Sequence, residues 1–105
     1  DDSQAPGVFQ AAADLDLSVP GDLSVLGFGN QDHRSASALG LTTVEWPLKE
    51  MTEAAVSSII NVIEGRSPMT DIHPRASIDE EAPDGTPIAT IPTRPVWRSS
   101  VARRA

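Results

Sequence analysis

Few groups in this 105-residue chain have the types and spacing that chemistry requires. The stretch Gly27-Phe28-Gly29-Asn30-Gln31-Asp32 follows an apolar run and carries the Gly-x-Gly of a dinucleotide-binding turn. That turn needs a third glycine where this chain has Asp32, and a helix opening there to offer its first amides to a pyrophosphate. The pattern predicts no clean helix after Asp32, so a nucleotide cofactor is not expected. Asp14, Asp16 and Asp22 alternate with apolar residues as in a calcium loop. Gly21 comes too late for that loop's sharp turn and no Glu closes it, so these acids read as a solvated surface. His33 and His73 stand far apart, neither at ligand spacing with another His or with acids, and no metal site is expected. Serines are plentiful, yet no Gly-x-Ser-x-Gly elbow occurs. With no cysteine in the chain thiolate chemistry is absent too. Catalysis finds no foothold, and no cofactor is expected.

Trp46 is the residue that asks for an explanation. It stands in "GLTTVEWPLKEM", residues 40–51, where a β-like stretch passes straight into an amphipathic one. An indole buries about 150–250 Å², worth several kcal/mol at about 25 cal/mol per Å², whether it enters a core or meets a ligand. Position argues for the ligand, because clefts form where a chain connects two packed units.

The elements that would position these residues can be read from periodicity. Asp2 or Ser3 can cap a first helix with Pro6 in its first turn, and Ala5, Val8, Phe9, Ala12 and Leu15 recur at helical spacing to about Leu17. Ser18 to Asp22 form a turn. The apolar run Leu23 to Phe28 reads as a buried parallel strand. Leu41 to Val44 make a second strand, and Pro47 opens a second helix with Leu48, Met51, Ala55, Ile59 and Val62 as its buried stripe and Gly65 as its cap. From Arg66 to Pro87 the composition, rich in Pro, Asp and Glu, predicts an irregular or disordered excursion. Ile88 to Trp97 has strand composition, but prolines at 87, 92 and 95 confine it to an edge or a crossing segment. The tail Ser99 to Ala105 should fray.

Composition narrows the function classes. Eight Lys and Arg against fifteen Asp and Glu give a net charge of −7, which repels a phosphate backbone. Direct contact with nucleic acid is not expected. The lack of cysteine suits a reducing cytoplasm, and no apolar run approaches the length that spans a bilayer. The first residue is Asp and nothing there has the form of a signal peptide, so the chain reads as a piece of something longer.

Three blocks, taken in order, carry a family resemblance: "PGVFQAAADLDLSVPGDLSVLGFGNQD", "LTTVEWPLKEMTEAAVSSIINVIEG" and "IPTRPVWRSSVA". Together they resemble the C-terminal third of a bacterial transcription regulator of the lactose-repressor/galactose-repressor (LacI/GalR) family. The resemblance implies an α/β fold like that of the type I periplasmic binding proteins: two parallel-sheet lobes with flanking helices, a cleft, and three crossover strands. It implies that residues 1–46 end the C-terminal lobe and that 47–66 supply a helix of the N-terminal lobe. Residues 67–87 would be an insertion, 88–98 the returning strand and 99–105 a tail.

The same resemblance implies a site. Trp46 would face a sugar or sugar-acid effector, stacking on a ring where relatives often have a polar residue. Asp1 falls where an effector-contacting Asn is common. Gly29 replaces an Asp that in many relatives binds sugar hydroxyls, so that Asn30 or the backbone would substitute, or a bulkier ligand would fit. Gly-Phe-Gly is reminiscent of gluconate-type repressors. Thr52 stands where the family usually has Gly, implying a less close helix approach. The implied partners are a small-molecule effector, a second copy in a homodimer, and operator DNA only through a helix-turn-helix that this chain does not contain. No membrane partner is implied. A transport-type sugar-binding protein of the same fold is the alternative, and an enzyme fragment with a nucleotide site at "GFGN" a more distant one. With most of a sheet absent, the chain should expose strand edges and a helix stripe and associate with itself or with further segments.

Overall fold

The computed structural model describes residues 1–103, with the side chains of Asp79 and Glu80 left aside. The chain divides into two compact units, one of residues 1–46 together with the segment from Thr93 on, the other Pro47–Pro92.

In the first unit the Asp1 carboxylate accepts from the Ser3 amide at 2.8 Å and from its hydroxyl. This caps a single 3-10 turn, Asp2–Gln4, which runs into helix α1, Ala5–Asp14. Pro6 lies in the first turn of α1, where its missing donor costs nothing. The cap is thus one residue earlier than expected and the helix ends short of Leu17. Leu15 has left helical geometry, Asp16 is left-handed at φ 57°, and the Leu17 amide turns back to Ala12 O at 2.8 Å.

The run Leu23 to Phe28 does pair in parallel, through bridges Leu26↔Thr42 and Gly29↔Glu45. Alternate amides carry the pairing, Gly27 to Thr42 O at 2.9 Å and Gly29 to Val44 O at 2.7 Å. The run is not buried, however: Leu26 and Phe28 are 63% and 44% exposed, because no second layer covers that face. Strand β1, Thr43–Glu45, is joined antiparallel by the last strand, Arg94–Val96, with Thr43 opposite Val96 and Glu45 opposite Arg94. A small core gathers Ala5, Ala36 and Leu41, with Phe9, Val25 and Leu39 packed on it.

Two further expectations for this unit fail. A helix does open after the Gly-x-Gly stretch: α2, His33–Ala38, six residues long. Asp32 caps it by accepting from the Ser35 amide and hydroxyl, at 3.2 and 2.6 Å. The acid that removes the third glycine is itself the helix signal. Nor does the tail fray at its start. Ser100 is buried, its hydroxyl donating to Val25 O at 2.6 Å and accepting from the Thr42 amide at 2.8 Å.

The second unit is built on α3, Leu48–Ile63. Its end is a Schellman cap: the Arg66 amide donates to Asn61 O and the Gly65 amide to Val62 O, at 2.8 and 3.1 Å, with Gly65 at φ +74°. The stripe expected to be buried is exposed, Leu48, Met51, Ile59 and Val62 lying between 47% and 61% accessible. The buried positions are Ala54 and Asn61 instead. This unit has too little sheet to cover an apolar stripe, and what it does cover is small or polar. Thr52, expected to loosen a helix contact, faces outward and bonds its own helix at Leu48 O, 2.8 Å.

The excursion from 67 to 87 is ordered in part. Strands β2, Ser77–Glu81, and β3, Pro87–Thr90, form an antiparallel hairpin with an irregular register between Ser77 and Glu80. Its turn closes through Ala82 N to Thr86 O at 2.7 Å, and Asp84 accepts from the Thr86 amide at 3.0 Å. The Asp84-Gly85 pair is a hairpin signal, and Pro87 is tolerated as the first residue of its strand. The segment 88–98 is accordingly shared: its first part completes β3, and Arg94–Val96 forms β4 in the other unit. No helix among the described residues is long and apolar enough to cross a membrane.

Candidate functional site

The first unit holds a concavity of about 390 Å³ whose wall includes Asp1, Asp2, Phe28, Gly29, Asp32 and Trp46. That volume lies within the range of small-molecule sites. Each wall residue arrives on a different local device. Asp1 and Asp2 come from the 3-10 turn, Phe28 and Gly29 from the end of the parallel run, Asp32 from the cap of α2, and Trp46 from the residue just past β1. The run and β1 are held in step here, since the Trp46 amide donates to Gly29 O at 3.3 Å.

Three of the four residues expected at a site, Asp1, Gly29 and Trp46, share this one pocket. Trp46 is 39% exposed and packs edge-to-face on Phe28. Gly29 sits at φ +123°, where L residues are strained. The space beside it is open, the nearest atom to a Cβ there being Gln31 Cγ at 3.9 Å. The fourth, Asn30, stands behind the pocket. It is 4% exposed, left-handed at φ +52°, and its amide is used on both ends. Nδ2 donates to Glu45 Oε1 at 3.0 Å and Oδ1 accepts from Arg98 at 3.1 Å.

The wall is acidic. Among the described residues no Lys, Arg or His lines it, and the Ser35 hydroxyl and then its amide hold Asp32 below the ordinary carboxylate range. Beside it, Glu45 is lowered first by the Arg94 guanidinium and then by the Asn30 amide. Carboxylates, hydroxyls and two aromatic rings together make a surface that accepts hydrogen bonds from a ligand and stacks on it. No group of His, Cys, Asp and Glu among the described residues has the makings of a metal site. Phe28, Asp2 and Asp32 were not legible as wall residues: Phe28 reads as strand interior, Asp2 as a helix cap and Asp32 as a broken nucleotide motif. Only the position of Asp32 beside Gly29 hinted otherwise.

A second concavity, in the other unit, is lined by residues that include Ser57, Asn61, Arg66 and Asp71. Two of its polar side chains, Asn61 and Arg66, are already paired. The Asn61 amide donates to Thr70 O at 2.7 Å and accepts from Arg66 Nε at 3.0 Å, and Arg66 also meets Glu64.

Comparison with known proteins agrees with this architecture. The family model described as a periplasmic binding protein-like domain matches residues 1–101. The chain is 37% identical over 62 residues to the HTH-type transcriptional regulator MalR of Clostridium butyricum, covering 59% of this chain and 18% of that protein. It is 30% identical over 87 residues to the HTH-type transcriptional repressor PurR of Pectobacterium atrosepticum, covering 80% of this chain and 26% of the relative. It is 36% identical over 62 residues to the ribose operon repressor of Escherichia coli, 59% of this chain and 19% of the repressor. The chain therefore spans only about a fifth to a quarter of the length of the curated relatives it matches. Those relatives are regulators rather than enzymes, and no solved structure matches. On the family match over residues 1–101, the chain belongs to the periplasmic binding protein-like domain family, and the relatives that share this stretch with it are by name transcription regulators.

Proposed function

We propose that the pocket of the first unit is a wall of the effector site of a sugar-responsive transcription regulator. The observation that carries this reading is the Phe28–Trp46 aromatic pair set among carboxylates in one concavity. A sugar ring offers an apolar face to stack on an indole and hydroxyls to donate to acids. Trp46 supplies the stacking face, Asp1 accepts hydroxyl protons, and the Gly29 backbone leaves room for a bulky substituent.

In this reading residues 1–46 close the C-terminal lobe and 47–66 supply a helix of the N-terminal lobe. Residues 67–87 are an insertion ahead of the returning segment 88–98, and 99–105 are the tail. The protein acts in the cytoplasm as a homodimer, and operator DNA is read by a helix-turn-helix outside this chain. Effector binding then shifts operator affinity by linkage, with a coupling of about 1–3 kcal/mol. One relative is by name a repressor of a ribose operon, which supports a sugar as the effector class.

The test is tryptophan fluorescence of the protein as its gene encodes it, titrated with sugars, sugar acids and purines, with Trp97 and any tryptophan outside this chain replaced by Phe so that Trp46 reports alone. A saturable change with one class of ligand is expected. Tight binding by calorimetry with Trp46 silent would remove Trp46 from the site.

A further inference from the structure

Behind the pocket wall lies a polar network whose members are sequence neighbours of the wall residues. Asp2, itself on the wall, accepts from the Asn30 amide nitrogen at 2.7 Å and from Thr43 Oγ1 at 2.7 Å. Asn30 follows Gly29, and Glu45 precedes Trp46. Glu45 Oε1 takes the Asn30 Nδ2 hydrogen while Oε2 takes Arg94 Nε at 2.8 Å. On the far side Arg98 donates to Asn30 Oδ1 and, through its other nitrogen, to Leu41 O at 2.7 Å. Among the described residues, Asn30 alone is hydrogen-bonded to Asp2, Glu45 and Arg98 alike.

The chemistry at this position is specific. One side of Asn30 meets a carboxylate, which can only accept, and the other a guanidinium, which can only donate. A neutral amide presents a donor to the first and an acceptor to the second; a carboxylate serves only the guanidinium. Asn also tolerates the left-handed backbone found here. No buried side-chain polar atom in the described residues lacks a partner, so the network is complete as it stands.

We propose that Asn30 is the positioning residue of the pocket: by joining Glu45 to Arg98 it fixes the register of the Gly29 and Trp46 segments and hence the face that Trp46 presents to a ligand. This rests on the pocket being the effector site, but it is tested without any ligand. Asn30→Asp keeps size and backbone preference while setting a second carboxylate against Glu45. Adding Glu45→Gln reverses the complementarity, since the new amide donates to residue 30 and still accepts from Arg94.

The readout is Trp46 emission and its quenching by acrylamide, in the encoded protein carrying Trp97→Phe and with any tryptophan outside this chain also replaced by Phe. Asn30→Asp should red-shift the emission and increase quenching, and the double variant should return both to the parent values. The proposal is overturned by a folded Asn30→Asp protein with unchanged Trp46 emission, or by a double variant no closer to the parent than the single one. If Asn30→Asp fails to fold, the double variant decides alone: parent-like emission supports the exchange, and failure to fold rejects it. A ligand panel that finds no effector leaves this result standing, so the two readings fail separately.

Discussion

Phe28 and Trp46 meet edge to face, their ring centroids 5.8 Å apart and their planes at 68°. The contact joins the end of the parallel run to the residue just past β1, two segments whose backbones are already bonded at Gly29 and Trp46. An aromatic pair of this geometry adds about 0.5–1.5 kcal/mol beyond the area it buries. Phe28→Leu keeps most of the apolar volume and removes the ring edge. It should lower stability by no more than about that amount, since Phe28 is already 44% exposed, and should weaken effector binding by removing the ring that orients Trp46. Calorimetric titration beside a melting curve separates the two quantities. A large stability loss with unchanged affinity would make the pair structural.

The Glu45–Arg94 pair predicts a pH dependence with a definite sign. Arg94, through Nε and a second close contact from Nη2, and then Asn30 hold Glu45 below its ordinary value. A carboxylate depressed in the folded state contributes stability that is complete above its unfolded pKa and is lost as pH falls through the folded one. Arg94 is 71% exposed on its side chain and Glu45 21%, so the pair is worth about 0.2–1 kcal/mol after screening. Arg94→Met should therefore lower stability near neutrality by that amount and flatten the loss on acidification below about pH 4. Urea denaturation at neutral and acid pH checks this. A variant with the parent's acid slope would show that Glu45 draws its stabilisation from elsewhere.

Helix α3 was legible because Pro47, the periodic apolar residues and Gly65 each mark a boundary or a face by local rules. Which face is buried was not, because that depends on what lies opposite. The i, i+3, i+4 stripe through Met51 and Ile59 reads as interior, yet the residues covered are Ala54 and Asn61. The same division holds at the pocket. Trp46, Gly29 and Asp1 were placed by their likeness to a family pattern. Asn30 was named by the same likeness, but as a ligand contact; its place behind the wall, like the part Asp32 plays, needed geometry, since a cap and a buried amide leave no periodic trace. The β2–β3 hairpin had its signal in Asp84-Gly85, outweighed by the acids and prolines around it.

Gly65 offers a backbone test free of packing effects. It stands at φ +74°, and a Cβ there would meet nothing within 4 Å. Gly65→Ala therefore measures the left-handed penalty alone, about 1 kcal/mol, with Asn between the two because it tolerates that conformation better. Urea midpoints should fall in the order Gly, Asn, Ala. An Ala variant as stable as the parent would mean that the Schellman bonds from Gly65 and Arg66 do not persist in solution.

The acidic wall discriminates among effectors by charge. Asp1, Asp2 and Asp32 line the pocket, and no Lys, Arg or His among the described residues joins them. A ligand carboxylate about 4 Å from one such acid meets a repulsion between about 1 kcal/mol in water and about 4 kcal/mol at a protein surface. A neutral sugar should therefore bind about fivefold or more tightly than the corresponding sugar acid. Asp32→Asn tests this cleanly, since Asn caps a helix as well as Asp does and the Ser35 contacts of α2 can be kept. The variant should improve sugar-acid binding several-fold and leave the neutral sugar nearly unchanged, with the difference shrinking as salt is raised. Should the sugar acid bind the parent more tightly and ignore Asp32→Asn, its carboxylate must lie away from this wall, held by cations that other parts of the protein provide.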